Sequence, residues 1–309
     1  MNLNDVTVAI PLHNGADYSE IVFANIERLV EHCNLIVSDD TESDDFLEKV
    51  ALKFGSHPNL LIVGKRNLEK GWVTHWNDLL LRIETKYFMW LPQDDEIEFA
   101  WISENLRNLI NNPTLAGSFG LQFGNLMNEL VEYGARLPSV TENSRKYLAN
   151  SLIESWPAIG VATRSIWDKS KVLPILHTRS PNDEWADIIW IYGTLLQHPI
   201  GQVYNASYRK RWHSSSASST WKTFDVVSAR YFLFREINRR NLSLEPWVEL
   251  LEICLAKQLK QVNDLTNRNN TLIQRNNEQI IELNRALNSK TWTFNRLLRN
   301  LIKRFKSKY

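Results

Sequence analysis

Residues 87–95 read Tyr87-Phe88-Met89-Trp90-Leu91-Pro92-Gln93-Asp94-Asp95, an apolar run that ends on adjacent carboxylates. A segment of this length without polar alternation is accommodated as a strand buried on both faces of a sheet. Two acids at its carboxyl end are costly to desolvate unless positive charge or water meets them. In open α/β sheets that end of the strands is where ligands bind. Two readings stand on this segment. In one, the acids hold Mg²⁺ carrying a diphosphate, since that ion takes one or two carboxylates plus phosphate oxygens. In the other, they are a solvated loop that opens the next helix, where acids favour the N-terminus.

The preceding residues repeat the pattern. Val6-Thr7-Val8-Ala9-Ile10-Pro11 reads as a buried strand closed by the loop Pro11-Leu12-His13-Asn14-Gly15. Residues 18–32 carry helical spacing, with Ile21, Ala24, Ile26, Leu29 and Val30 apolar. Asn34-Leu35-Ile36-Val37-Ser38 is a second short strand, again followed by acids at Asp39 and Asp40. A helix over 46–54, a strand over 60–63 and a helix opening at Gly71 and running to about Ile83 complete the alternation. Strand–helix alternation predicts a mostly parallel sheet covered on both faces. Further on, the pattern predicts helices over 101–110 and 183–197, strand-like pieces within 115–131, and a strand over 203–212 that leads to His213 and the serine-rich stretch 214–219.

At 309 residues with 43% hydrophobic composition and 12 tryptophans, the chain can bury a large core. A net charge of +1 gives no sign of a nucleic-acid binder. Cys33 and Cys254, each among apolar neighbours, read as buried thiols of a reducing compartment. Residues 1–6 lack the basic and apolar regions of a signal peptide, and no run approaches the ~18 apolar residues that span a bilayer. The expected location is cytoplasmic.

From about Trp247 the composition changes. Leu255, Leu259, Val262, Thr266, Asn269, Ile273, Asn276, Ile280, Leu283 and Leu287 alternate steps of four and three, the spacing of a heptad seam. A coiled coil fits this long Gly- and Pro-free segment and would make the protein a homo-oligomer; the alternative is a single amphipathic helix packed on the preceding domain. Residues 289–306 contain no acid and interleave Trp292, Phe294, Leu297 and Leu298 with Lys and Arg. Such a helix fits the interface of an anionic membrane, or a protein surface.

Val8-Ala9-Ile10-Pro11-Leu12-His13-Asn14, then Ile36-Val37-Ser38-Asp39-Asp40 with Asp44, then Trp90-Leu91-Pro92-Gln93-Asp94-Asp95, resemble in order and spacing the family 2 glycosyltransferases with the GT-A fold. The resemblance covers roughly the first 220 residues. The Ser289-Lys290-Thr291-Trp292 tail is similar to tails of bacterial surface-polysaccharide members. The resemblance implies a Rossmann-like, mostly parallel central sheet flanked by helices. Implied boundaries are 1–222 for the transferase domain, 223–250 for a helical connector, 251–288 for the coiled coil and 289–309 for the basic tail. It implies that Pro11, His13 and Asn14 border the nucleobase, that Asp40 accepts a hydrogen bond from it and that Asp94 meets the ribose or sugar. Asp95 and His213 would hold Mg²⁺ or Mn²⁺; Pro92 replaces the first acid of the family's DXD motif. Arg209 and Arg211 are candidate diphosphate contacts. Asp187 is the expected general base, with Asp183 and Glu184 as rivals and Ala186 where the family has Glu.

The expected activity is inverting transfer of a sugar from a nucleotide donor to a hydroxyl of a surface glycan or lipid-linked acceptor, with peripheral contact at the inner membrane through 289–309. Two other readings remain at this stage: a nucleotidyl- or phosphotransferase on a similar sheet, and a degenerate transferase domain serving as a coiled-coil scaffold.

Overall fold

The structure, a computed structural model, describes residues 3–41, 45–64, 71–126, 129–133, 162–172, 183–195, 197–211, 235 and 245–306. The chain divides into two units, Met1–Cys254 and Leu255–Tyr309.

The first unit begins as the sequence pattern requires. Strand β1 (Val6–Leu12) is followed by helix α1 (Ser19–Leu29), β2 (Asn34–Asp39), α2 (Phe46–Phe54), β3 (Leu60–Val63), α3 (Trp72–Arg82) and β4 (Tyr87–Trp90). These strands lie parallel in the order β3-β2-β1-β4. All seven residues of β1 and all four of β4 are buried, which is why they carry continuous apolar runs. Pro11 sits within β1, one residue short of its end. The β4 register stops at Ala9, so on that side no ladder bond is asked of Pro11. In α1 the apolar positions Val22, Ile26 and Leu29 face the sheet at helical spacing, and each contributes about 1.5–3 kcal/mol by its burial.

The sheet continues with antiparallel and parallel partners. β5 (Glu96–Ile97) and α4 (Phe99–Asn111) follow the Pro92–Asp95 turn, then β6 (Gly117–Leu126), β7 (Glu129–Tyr133), β8 (Ile166–Asp168), α5 (Ala186–Leu195) and β9 (Ile200–Lys210). The full order is β3-β2-β1-β4-β8-β6-β9-β5, with β7 paired to β6. β6 and β9 run parallel with a register shift between Phe119 and Leu121. There the strands come so close that a Cβ on Gly120 would lie 2.3 Å from the Ala206 carbonyl oxygen.

Helix α5 is buried around most of its circumference, from Ile188 to Leu195. Its Trp190 is the hub of an indole cluster, with ring centroids 5.1 Å from Trp90 and 4.8 Å from Trp167; Trp76 stacks on Trp90 at 4.9 Å. Off-centre and edge-to-face rings at these separations are worth ~0.5–1.5 kcal/mol each beyond burial. This packing fixes where the first turn of α5 points.

The helix expected over 183–197 is shorter. It starts at Ala186 because Asp183 and Trp185 adopt left-handed backbone, at φ 58° and 64°. Asp183 and Asp187 therefore do not share a helical face.

The second unit lies within α6, a single helix spanning Glu245–Lys306 over 62 residues. Along it the apolar seam is exposed, with Leu255, Leu259, Val262, Ile273, Ile280, Leu283 and Leu287 each more than half accessible. Trp292, Phe294 and Leu297 are likewise exposed, and the Arg296 guanidinium lies 5.0 Å from the Trp292 ring centroid. Among the described residues no helix is long and apolar enough to cross a membrane.

Candidate active site

The chain passes from β1 outward to β2 and β3, then returns to the other side of β1 with β4. This reversal opens a crevice beyond the carboxyl ends of β1 and β4, the position where open α/β sheets bind ligands. The crevice is bordered by the loop after β1, with His13 and Asn14, and by the Pro92–Asp95 turn after β4.

The Gln93 side-chain amide ties these two loops together by bonding both backbone groups of His13. The His13 N–H donates to Gln93 Oε1 at 2.8 Å, and Gln93 Nε2 donates back to the His13 carbonyl at 2.7 Å. Asn14 takes a left-handed conformation at φ 55°, which its short polar side chain tolerates, and its N–H donates to Thr41 Oγ1 at 2.6 Å. The Thr41 N–H in turn donates to Asp39 Oδ1 at 2.8 Å. Pro11 is buried in the strand, so its ring forms the floor behind this loop rather than a free edge.

Asp40 is flanked by two imidazoles. His13 Nδ1 lies 2.7 Å from Asp40 Oδ1, and His75 Nδ1 lies 3.8 Å from Asp40 Oδ2. His75, on α3, is buried; burial lowers its pKa against the opposing pull of Asp40 and Asp39, so it is held toward the neutral form. The sequence reading did not single out His75. Its only signal was a polar residue on the inward face of an amphipathic helix.

Asp95 has no accessible surface. Its Oδ2 accepts from Arg164 Nε at 3.1 Å and from the Tyr208 hydroxyl at 2.8 Å, and its Oδ1 accepts from the Arg211 N–H at 3.2 Å. Burial pushes the carboxyl upward; the Arg164 guanidinium opposes that, Asp94 adds to it, and Lys210 and Tyr208 pull it down. The backbone around it is held by α1, where Asn25 Nδ2 donates to the Asp95 carbonyl at 2.9 Å and Arg28 to the Ile97 carbonyl at 2.6 Å.

These contacts bear on the expected cation. A Mg²⁺ or Mn²⁺ ligand must present an accessible, unspent oxygen. The Asp95 carboxylate is enclosed and shared among three protein donors, and its charge is matched by Arg164. His213, the other expected ligand, lies outside the described residues. Among the described residues no group of three or more His, Cys, Asp or Glu side chains could hold a metal. The enclosed Asp95 carboxylate, the described member of the expected metal set, does not fit a divalent cation in this arrangement. Asp94, half-buried beside it, remains at the rim of the crevice.

Asp187 stands in the first turn of α5. Thr163 Oγ1 donates to its Oδ2 at 3.0 Å, while its buried Oδ1 has no hydrogen-bond partner among the described residues. Burial raises its pKa, with Thr163 and Arg164 opposing. Asp183 is placed elsewhere: its Oδ2 lies 3.0 Å from where a Cβ of Gly71 would stand, at the start of α3. Glu184 is half-exposed between the two left-handed residues. Asp187 lies within electrostatic reach of Arg164, the partner of Asp95.

The expected diphosphate contacts are rearranged. Side chains alternate along β9, so Tyr208 and Lys210 share the face that looks at Asp95, and Arg209 is on the other. Arg209 is exposed opposite Glu96, and the Arg211 guanidinium pairs with Glu96. The cations that reach the Asp95–Asp187 cluster are Arg164 and Lys210. Arg164 lies 69 residues from Asp95 in a stretch without any motif, which is why the sequence reading missed it. Lys210 was passed over for its arginine neighbours because strand register was not known. The serine-rich stretch 214–219 and Asp44 lie outside the described residues.

No protein-family model matches this sequence, and no curated protein matches it. Solved structures do match in fold. The crystal structure of S. aureus TarS 1-349 in complex with UDP-GlcNAc aligns with a TM-score of 0.58 at 15% identity, covering 81% of this chain and 70% of that one. The same TarS fragment in complex with UDP aligns with a TM-score of 0.50 at 14% identity, over 78% of this chain and 73% of that one. This likeness establishes the architecture: a TarS-like GT-A fold, with a mixed, mostly parallel sheet between helices, followed by a long C-terminal helix.

Proposed function

We propose that this chain is an inverting glycosyltransferase of the family 2 type, moving a sugar from a nucleotide-sugar donor to a hydroxyl of a bacterial surface glycan or lipid-linked acceptor. The observation that carries the reading is Asp187. It is a partly enclosed carboxylate with one oxygen unspent, set beside a crevice at the switch point of a GT-A sheet. The TarS structures that share the fold hold UDP-GlcNAc and UDP, which supports a nucleotide-sugar donor here.

In this reading the donor's base lies against Pro11, His13 and Asn14 and donates a hydrogen bond to Asp40, whose Oδ1 also meets His13, and the loop clamp made by Gln93 holds that edge in place. Asp94 faces the ribose or sugar. The acceptor hydroxyl approaches Asp187, which removes its proton as the oxygen attacks the anomeric carbon. The bond from that carbon to the diphosphate oxygen breaks with its electron pair leaving on the diphosphate. One in-line displacement inverts the anomeric centre. A raised pKa makes Asp187 a stronger base than a free carboxylate, and Thr163 on its other oxygen orients it. Asp183 and Glu184 stay rivals for this role; Asp187 is preferred because it stands in the first turn of α5 with Thr163 orienting one carboxylate oxygen.

Residues 1–222 would form the transferase domain and 223–250 a connector. The exposed seam over 251–288 would pair with further copies of the chain, and the acid-free segment 289–309 would rest on the cytosolic face of the inner membrane. The test is incubation with a panel of nucleotide sugars and acceptor extracts. Release of nucleoside diphosphate that disappears in Asp187→Asn supports the reading. Release of pyrophosphate or nucleoside monophosphate, or full activity in Asp187→Asn, rejects it.

A further inference from the structure

Lys210 is the last residue of β9 and stands half-buried on the strand face that also carries Tyr208. An ammonium has three donors, and among the described residues Lys210 forms neither a hydrogen bond nor a close ion pair. It is nevertheless within electrostatic reach of Arg164, Asp95, Asp94 and Asp187. Arg164 is committed to Asp95 at 3.1 Å, and the Arg211 guanidinium is committed to Glu96. Among the described residues the Lys210 ammonium is thus the uncommitted cation of the cluster, and a partly desolvated charge with unspent donors is costly unless a ligand completes it.

Its counterpart is Asp187 Oδ1, a buried acceptor with no hydrogen bond among the described residues. The two groups want opposite things. The carboxylate oxygen is satisfied by an O–H donor, and the ammonium by an oxyanion. An acceptor hydroxyl and a diphosphate are those two ligands, and both belong to one displacement.

We infer that Lys210 contacts the diphosphate of the nucleotide donor and neutralises the charge that develops on it as the sugar departs, which makes it a catalytic residue. The inference rests on the glycosyltransferase reading. The anomeric carbon–oxygen bond breaks toward the phosphate, the electron pair resides on the phosphate oxygen, and the ammonium stabilises that oxygen by a charge-assisted hydrogen bond without giving up its proton. Arg164, by cancelling Asp95, keeps the neighbouring acid from competing for Lys210 and acts as a positioning residue.

The test uses the full chain and compares wild type with Lys210→Met and Lys210→Arg. Calorimetry measures UDP, GDP and dTDP, and the matching nucleosides, once in EDTA and once with Mn²⁺, so that a cation requirement registers separately. A charge-assisted hydrogen bond contributes about 1.5–3 kcal/mol, about 10- to 150-fold in affinity. The expected result is a loss of that size for the preferred diphosphate in Lys210→Met, partial recovery in Lys210→Arg, and unchanged affinity for the nucleoside. Lys210→Met should melt at or above the wild-type temperature, since it removes a poorly solvated charge, so a binding loss is not a folding loss. Equal diphosphate affinity in Lys210→Met and wild type, under both conditions, overturns the inference while leaving the donor reading intact. A wild-type protein that binds none of the three diphosphates overturns the donor reading, and the inference with it.

Discussion

Replacing Arg164 by methionine probes the centre of the site. The Nε–Oδ2 separation of 3.1 Å corresponds to about 5 kcal/mol of attraction at an effective dielectric of ~20. That figure is not the net worth of the pair, because both charges were taken from water to form it. Deleting the cation alone is different. Asp95, with no accessible surface, would lose its ion-pair partner and keep the Tyr208 hydroxyl, the Arg211 N–H and the more distant Lys210 against it. The expected loss is about 3–5 kcal/mol. The double variant Arg164→Met, Asp95→Asn removes both charges and should recover most of it. The sign with pH is specific. Without Arg164 the folded Asp95 pKa rises further above its unfolded value near 3.8, so the folded state binds more protons in that window. The single variant should therefore gain stability relative to wild type as pH falls from 7 toward 5. Urea unfolding followed by tryptophan fluorescence measures this, since every tryptophan except Trp292 lies in Met1–Cys254. A loss under about 1 kcal/mol, or a deficit that does not shrink on acidification, refutes the buried-pair argument. Stabilisation of the single variant by Mn²⁺ would show Asp95 open to a cation and overturn its assignment as a carboxylate closed to metal.

Other consequences are direct. Asp187→Asn should lower kcat by roughly 10²–10⁴ with nucleotide affinity preserved, and a parallel loss of affinity would argue for a structural role. The rate should rise with pH as Asp187 deprotonates, with a midpoint above the ordinary carboxylate range. It should fall again as Lys210, lowered to about 8 by burial and by Arg164 against Asp95, Asp94 and Asp187, loses its proton. A flat kcat profile between pH 6 and 9 contradicts both assignments. Gly120→Ala places a methyl 2.3 Å from the Ala206 carbonyl oxygen and should destabilise by about 1–3 kcal/mol, read from the urea midpoint. Removing the residues after Ser289 should move the protein from membrane to soluble fractions and leave soluble donor turnover intact; unchanged fractionation removes the lipid-contact reading.

Much of the sheet was legible because its strands are buried on both faces. Residues 6–12, 35–37 and 87–90 are apolar apart from Thr7, and their lengths and intervening helical spacing leave few alternatives. The start of α5 was not legible. Asp183, Glu184 and Asp187 all fit an acidic helix start, and only the left-handed backbone at Asp183 and Trp185 separates them. The crevice acids could be named from their place after strands, because local sequence decides where a strand stops.

What those acids face was decided by packing over long separations. Arg164 meets Asp95 across 69 residues and Tyr208 meets it across 113, through elements whose order β4-β8-β6-β9 is not the order of the chain. Local residue patterns determined the strands β1 to β4, the helices between them and the acids that follow β2 and β4. The tertiary structure alone decided that Asp95 is a buried partner of Arg164, that Lys210 rather than Arg209 shares the strand face of Tyr208, and that Asp187 Oδ1 is buried without a hydrogen bond among the described residues. The physical reason is that charge and hydrogen-bond state depend on which side chains share a desolvated space, and chain distance does not encode that.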